Sequence, residues 1–184
     1  MTLPRQVLPG SFYKITRRCT QRQFLLRPDE VTNNVFTYCL GEAAARFGID
    51  VMMTTAESNH HHTDIFDRHG NVIPFVERFH KHVAKAQNAH RGRWENLWSS
   101  EPPCIVRLED PLAVIDAIVY TALNPVKDGL VARVRDWPGV NGLVPLLEAR
   151  AWRARVHTDD LMRGGLRTAA AASGDHPAGS VRAG

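Results

Sequence analysis

Three histidines in a row, His60, His61 and His62, stand in a stretch whose residue types predict a β-strand. Side chains of a strand leave alternately on opposite faces, so His60 and His62 share one face and His61 takes the other. Two imidazoles two residues apart can grip one metal ion, although a His-rich stretch that is simply exposed has the same spacing. Tyr120 and Asn124 follow 60 residues downstream, four positions apart in a predicted helix. That spacing projects a phenol and a carboxamide from one helix face. The plain alternative is a half-buried aromatic with a wet hydroxyl and an ordinary residue at a helix end before proline.

The elements that must position these groups follow from hydrophobic period. Ser11 to Thr20 reads as a first strand. From Asp29 onward Val35, Phe36, Cys39, Leu40, Ala43, Ala44 and Phe47 recur at three- and four-residue steps, and Gly48 stands where a helix C-terminal glycine would. Ile49 to Thr55 and Asn59 to Asp67 predict two adjacent strands, a hairpin. After the turn chemistry of Asp67 to Pro74, Phe75, Phe79, Val83 and Ala86 form the stripe of a second helix, with Arg78, Lys81 and Lys85 on its wet side. Arg91 to Trp98 is a loop with two tryptophans, and Cys104 to Leu108 is a further strand. Pro111 opens a third helix that turns Val114, Ile115, Ile118, Val119 and Ala122 inward, and Pro125 should break it after Asn124. The order is strand, helix, strand, strand, helix, strand, helix.

Composition narrows the classes. The chain has 184 residues, 43% apolar and 23% charged, which suits one globular domain over 1–147 with an extension over 148–184. From Gly164 onward Gly, Ala and Ser dominate, a composition that predicts disorder. Cys19, Cys39 and Cys104 are odd in number and widely spaced, which predicts reduced thiols and a cytoplasmic protein. No apolar run approaches the ~18–20 residues of a spanning helix, so no membrane partner is expected. The net charge of +4 is mild, but Met1 to Pro28 carries Arg5, Lys14, Arg17, Arg18, Arg22 and Arg27 with no acidic residue, interleaved with Phe12, Tyr13 and Phe24. Cations neutralise phosphates and rings stack on unpaired bases, so this pattern suits nucleic acid; a solvated basic edge strand fits it as well.

Two segments, SNHHH (Ser58 to His62) and YTALNPVKDGLV (Tyr120 to Val131), resemble the HUH transposases that use a single tyrosine, the insertion-sequence-200-like family, and within it the REP-associated tyrosine transposases. More loosely the resemblance extends from PGSFYKITRR to the DWPG stretch at Asp136 to Gly139. It implies an α/β (α+β) fold, a ferredoxin-like or RRM-like antiparallel sheet with helices packed on it and the tyrosine helix against the histidine strand. By the same resemblance Tyr120 is the catalytic nucleophile and His60, His62 and Asn124 are ligands of a divalent metal, Mg²⁺ or Mn²⁺. Attack on phosphorus would leave a 5′-phosphotyrosine and a free 3′-hydroxyl, a reversible step that cuts and rejoins single-stranded DNA. Hairpins of palindromic repeats are the implied partners, with Lys14, Arg17, Arg18 and Arg22 on the DNA. Relatives occur as monomers and as domain-exchanging homodimers.

The chain departs from the pattern at His61, where the family carries a bulky apolar residue, and at Thr63 and Asp64, where aliphatics are common. A polar side chain turned to the core requires a partner. The rival functions are a domesticated protein that binds a DNA hairpin without cutting it, and a His-rich zinc or nickel protein using several of the nine histidines.

Overall fold

The computed structural model describes residues 6–147. The expected extension over 148–184, with its Gly/Ala/Ser-rich end, lies outside them. Strand β1 (Ser11–Arg18) leads to helix α1 (Glu30–Phe47), the hairpin β2 (Ile49–Ala56) and β3 (His60–Asp67), helix α2 (Val72–His90), strand β4 (Cys104–Leu108), helix α3 (Pro111–Lys127) and a short helix α4 (Leu143–Leu147). The four strands form one antiparallel sheet in the order β2-β3-β1-β4. This is the expected ferredoxin-like arrangement. The first strand stops at Arg18 rather than Thr20, because Thr20–Arg22 turns into a single 3-10 turn.

Local signals account for the helices. The Asp29 carboxylate accepts from Thr32 N and closes the start of α1, and Gly48 ends it at φ 67°, a conformation that glycine takes without strain. Phe36, Phe75, Phe79 and Val83 from α1 and α2 pack on Tyr13, Ile15 and Ile65 of the sheet, all fully buried. These strand residues alternate with Thr16, His62 and Asp64, which face the other side.

That other side is covered by α3. Two expectations for this helix fail. It does not break before Pro125 but runs to Lys127. Proline removes the N–H that would bond the Thr121 carbonyl, and here the Thr55 hydroxyl donates to that carbonyl instead, at 2.8 Å. Nor does the apolar stripe face inward as a whole: Ile115 is 56% and Val119 48% exposed, while Thr121, Asn124 and Pro125 are buried with Ala117 and Ala122. The sheet face beneath is polar, so α3 turns its polar side to it. The DWPG segment then returns to β2, where Trp137 Nε1 donates to the Ala56 carbonyl and Asn141 Nδ2 to Thr55 Oγ1 and the Ala122 carbonyl.

The two tryptophans of the loop separate. Trp94 is 95% exposed, whereas Trp98 is buried and donates from Nε1 to the His80 carbonyl.

Candidate active site

The β2–β3 hairpin builds one wall of a cavity. Glu57 N bonds the His60 carbonyl across the turn, which brings Glu57, Asn59 and His60 together at its tip. Strand alternation sends His60 and His62 to the α3 side, with ring centroids 4.9 Å apart. Helix α3 builds the other wall: the Tyr120 ring meets His62 edge-on at 5.6 Å, and Asn124 Nδ2 lies 3.3 Å from His60 Nε2. The cavity, of about 350 Å³, is lined by Thr16, Arg18, Arg22, Asn59, His60, His62, Tyr120, Asn124 and Asp128. The segments Ser58 to His62 and Tyr120 to Val131 thus meet in space.

Each imidazole is held by its other nitrogen. His62 Nδ1 pairs with Thr16 Oγ1 at 2.8 Å, and His60 Nδ1 pairs with Asn59 Oδ1 at 2.7 Å. A contact of this kind at the outer nitrogen fixes the orientation of an imidazole; the Nε2 of His60 in turn takes the Asn124 amide. Burial lowers the pKa of both rings, and for His62, next to His60 and Lys14, to about 3. Both are therefore neutral near pH 7, the form that binds metal.

The carboxylates of this site, Glu57 and Asp128, escaped the sequence reading. Glu57 Oε1 accepts from Asn124 Nδ2 at 3.0 Å, and ligand atoms of Glu57, His60 and Asp128 lie within 4.8 Å of one another. Burial and the neighbouring Asp128 carboxylate raise the Glu57 carboxyl to a pKa of about 7, against the opposing hydrogen bond from Asn124. Asn124 consequently turns its nitrogen to Glu57 and His60, so its oxygen is not the end presented to the ligand cluster; Glu57 and Asp128 supply oxygens there. A signal for Asp128 existed: Tyr120, Asn124 and Asp128 follow at four-residue steps. Gly129, at φ 69°, then ends the helix. The group whose ligand atoms converge thus holds one imidazole, His60, and the two carboxylates; of the expected ligands His62 lines the same cavity but stands outside that group, and Asn124 reaches it with its nitrogen.

Of the four basic residues expected on DNA, strand parity separates Arg17 from Lys14 and Arg18, and Arg22 follows in the turn after β1. Arg18 and Arg22 line the cavity. Arg22 follows Gln21 in the left-handed region (φ 54° and 48°), a strained turn for non-glycine residues that aims it there. Lys14 is turned in beneath α3, where it bonds Thr121 Oγ1. Arg17 lies on the opposite face of the sheet, bonded to His80 and stacked over Trp98, away from Tyr120.

No protein-family model and no curated protein matches the chain. A solved structure of a REP-associated tyrosine transposase bound to a REP hairpin superposes with a TM-score of 0.66 at 14% identity, covering 85% of this chain and 92% of its own. A second solved structure, a candidate transposase from Deinococcus radiodurans R1 at 19% identity, covers 65% of this chain and 95% of its own with a TM-score of 0.46. The first shares the fold of this chain, and it is of the kind that the two sequence segments resemble. Among the described residues no helix is long and apolar enough to cross a membrane.

Proposed function

We propose that the chain is a single-tyrosine HUH transposase of the REP-associated branch, which nicks and rejoins single-stranded DNA at hairpins. The observation that carries this reading is the edge-on contact of Tyr120 with His62 inside a polar cavity that also holds His60, Asn124 and Asp128. A phenol nucleophile beside two neutral imidazoles is of little use to a binding module, and it suits phosphodiester chemistry. The hairpin as substrate class comes from the transposase whose fold the chain shares.

In this reading Arg18 and Arg22 hold the phosphates that flank the scissile one at the cavity mouth. The Tyr120 oxygen attacks phosphorus, a tyrosyl P–O bond forms, and the bond to the 3′-oxygen breaks. The phenolic proton ends on the departing 3′-oxygen by way of solvent, so the products are a 5′-phosphotyrosine and a 3′-hydroxyl. Nothing is oxidised or reduced, and the same path run backwards rejoins the strand. His60, with oxygens from Glu57 and Asp128 and with His62 beside it, would hold the divalent ion, which when bound supplies charge neutralisation at the phosphate. Thr16 and Asn59 keep the two rings in ligating orientation.

The test is a labelled single-stranded DNA hairpin incubated with the protein and Mn²⁺, then denatured. A covalent protein–DNA adduct with the wild-type chain, absent from Tyr120→Phe although that variant folds and holds the hairpin, is the expected result. Hairpin binding with no adduct from the wild-type chain would replace this reading by the non-cleaving binder.

A further inference from the structure

Lys14 leaves β1 on the same face as Thr16 and reaches up to the tyrosine helix. Its Nζ donates to Thr121 Oγ1 at 2.7 Å and to the Ala117 carbonyl at 3.4 Å, lies 3.6 Å from Asp64 Oδ1, and sits over the Tyr120 ring 4.6 Å from its centroid. Lys127, two turns beyond Tyr120, places a second ammonium 4.1 Å from the same centroid. One side chain of β1 therefore touches β3, two turns of α3 and the phenol itself.

Two further facts indicate that this contact does more than hold the fold together. Asp64 is 2% exposed, and its carboxylate is held only loosely, by Lys14 Nζ at 3.6 Å and the Thr121 hydroxyl beyond ordinary hydrogen-bond geometry. An ion pair with its carboxylate buried and loosely bonded is a weak source of stability. Secondly, α3 leaves Ile115, Val119 and Leu123 exposed, and of its apolar residues it fully buries only Ala117, Ala122 and Pro125, next to the buried polar Thr121 and Asn124. Polar contacts therefore share in seating this helix on the sheet, and Lys14 makes the ones adjacent to Tyr120.

We propose that Lys14 is a positioning residue for Tyr120: bound to Asp64 below and to Thr121 and Ala117 above, it sets the rotation of α3 and holds the phenol ring under a cation. The assignment rests on Tyr120 being the nucleophile. It removes Lys14 from the phosphate-binding set, because its donors are directed at α3 and at Asp64.

The experiment compares wild type, Lys14→Met and the double variant Lys14→Met/Asp64→Leu with the labelled hairpin and Mn²⁺. Lys14→Met alone strands the buried Asp64 carboxylate and is expected to melt lower. The double variant removes both charges and keeps the test open should the single variant fail to fold. Its expected behaviour is a wild-type melting temperature, an unchanged hairpin Kd and an adduct-forming rate lower by about 10- to 100-fold, the scale of a misplaced reacting group. A double variant that forms adduct at the wild-type rate would overturn the assignment, since the pair would then be structural only. Weaker hairpin binding with a salt slope smaller by about 0.7 would overturn it too, because Lys14 would then be a phosphate contact. If the wild-type chain forms no adduct at all, the nucleophile reading falls and takes this assignment with it; a wild-type adduct with an unaffected double variant removes the Lys14 assignment alone.

Discussion

Nε2 of His61 lies 2.8 Å from Nε2 of His80, and both rings are buried in the core between the sheet and α2. Arg17 Nη1 can only donate, so His80 Nδ1 accepts from it at 3.2 Å and His80 Nε2 carries the ring hydrogen. That hydrogen goes to His61 Nε2, which leaves His61 Nδ1 to donate to Thr63 Oγ1 at 3.1 Å. Thr63 and Thr54 hydroxyls pair at 2.8 Å, and Thr54 donates to the His62 carbonyl at 3.1 Å. The two departures at His61 and Thr63 are thus one chain of hydrogen bonds ending on the backbone of a candidate ligand. His61 and Thr63, the two of the departures that face the core, thus have partners.

This chain predicts acid sensitivity. Burial first, and then for His61 the neighbouring His80, holds both imidazoles well below the ordinary histidine value of 6.5. The unfolded chain binds more protons than the native one below that value. Their contribution is therefore complete above pH 6.5 and is lost as pH falls, by up to about 1.4 kcal/mol per pH unit for each ring. Glu57, raised to about 7, acts with the opposite sign between pH 4.5 and 7. Urea unfolding at pH 7 and 5 should show a larger loss for wild type than for His61→Phe/His80→Leu, in which Glu57 is kept. Equal losses would mean that the rings do not stay neutral in the fold.

Thr55→Val should destabilise the protein by about 1–3 kcal/mol while leaving the side-chain volume nearly unchanged. The variant removes the hydroxyl that answers the Thr121 carbonyl freed by Pro125. Denaturant melts of the variant and of Thr55→Ser, which restores the donor, check this. A neutral Thr55→Val would show that the carbonyl finds another partner.

Arg18→Ala/Arg22→Ala should reduce the slope of log affinity against log salt for a single-stranded hairpin flank by about 1.4, at about 0.7 per phosphate contact. Arg17→Ala should leave the slope alone and lower the melting temperature, since Arg17 bonds His80 and lies over Trp98. Salt titrations of hairpin binding with both variants separate the two faces of β1. A changed slope for Arg17→Ala would place its side chain on DNA.

Thr16→Val should weaken Mn²⁺ binding by about 10- to 100-fold without unfolding the chain, because it removes the partner that orients His62. His60→Ala should weaken it further, with adduct formation partly recovered at high Mn²⁺. Isothermal titration with Mn²⁺ alone reads both effects. Unchanged Mn²⁺ affinity in both would exclude this histidine face as the metal site.

Much of this molecule was legible in the sequence for a local reason. Strand parity is a property of neighbouring residues, so HHH already assigns His60 and His62 to one face and His61 to the other. Hydrophobic period and the glycine at 48 are equally local, and they yield the order of strands and helices that the sheet β2-β3-β1-β4 requires. Four-residue spacing placed Tyr120 and Asn124 on one face of α3, while a role for them came only from the resemblance of the two segments to a known family. What only the tertiary structure decided depends on partners far apart in the chain. Lys14 reaches Thr121 from β1, and Thr55 of β2 answers the Thr121 carbonyl that Pro125 leaves free, contacts that no local pattern shows, so both the apolar stripe and the proline break were misread. Glu57 joins the site through Asn124, 67 residues away, and His80 becomes a partner of His61 only when α2 lies on the sheet. Arg17 and Arg18 are adjacent and alike in charge. One side of the sheet is core and the other a cavity, and the pleat alone sends them to different work.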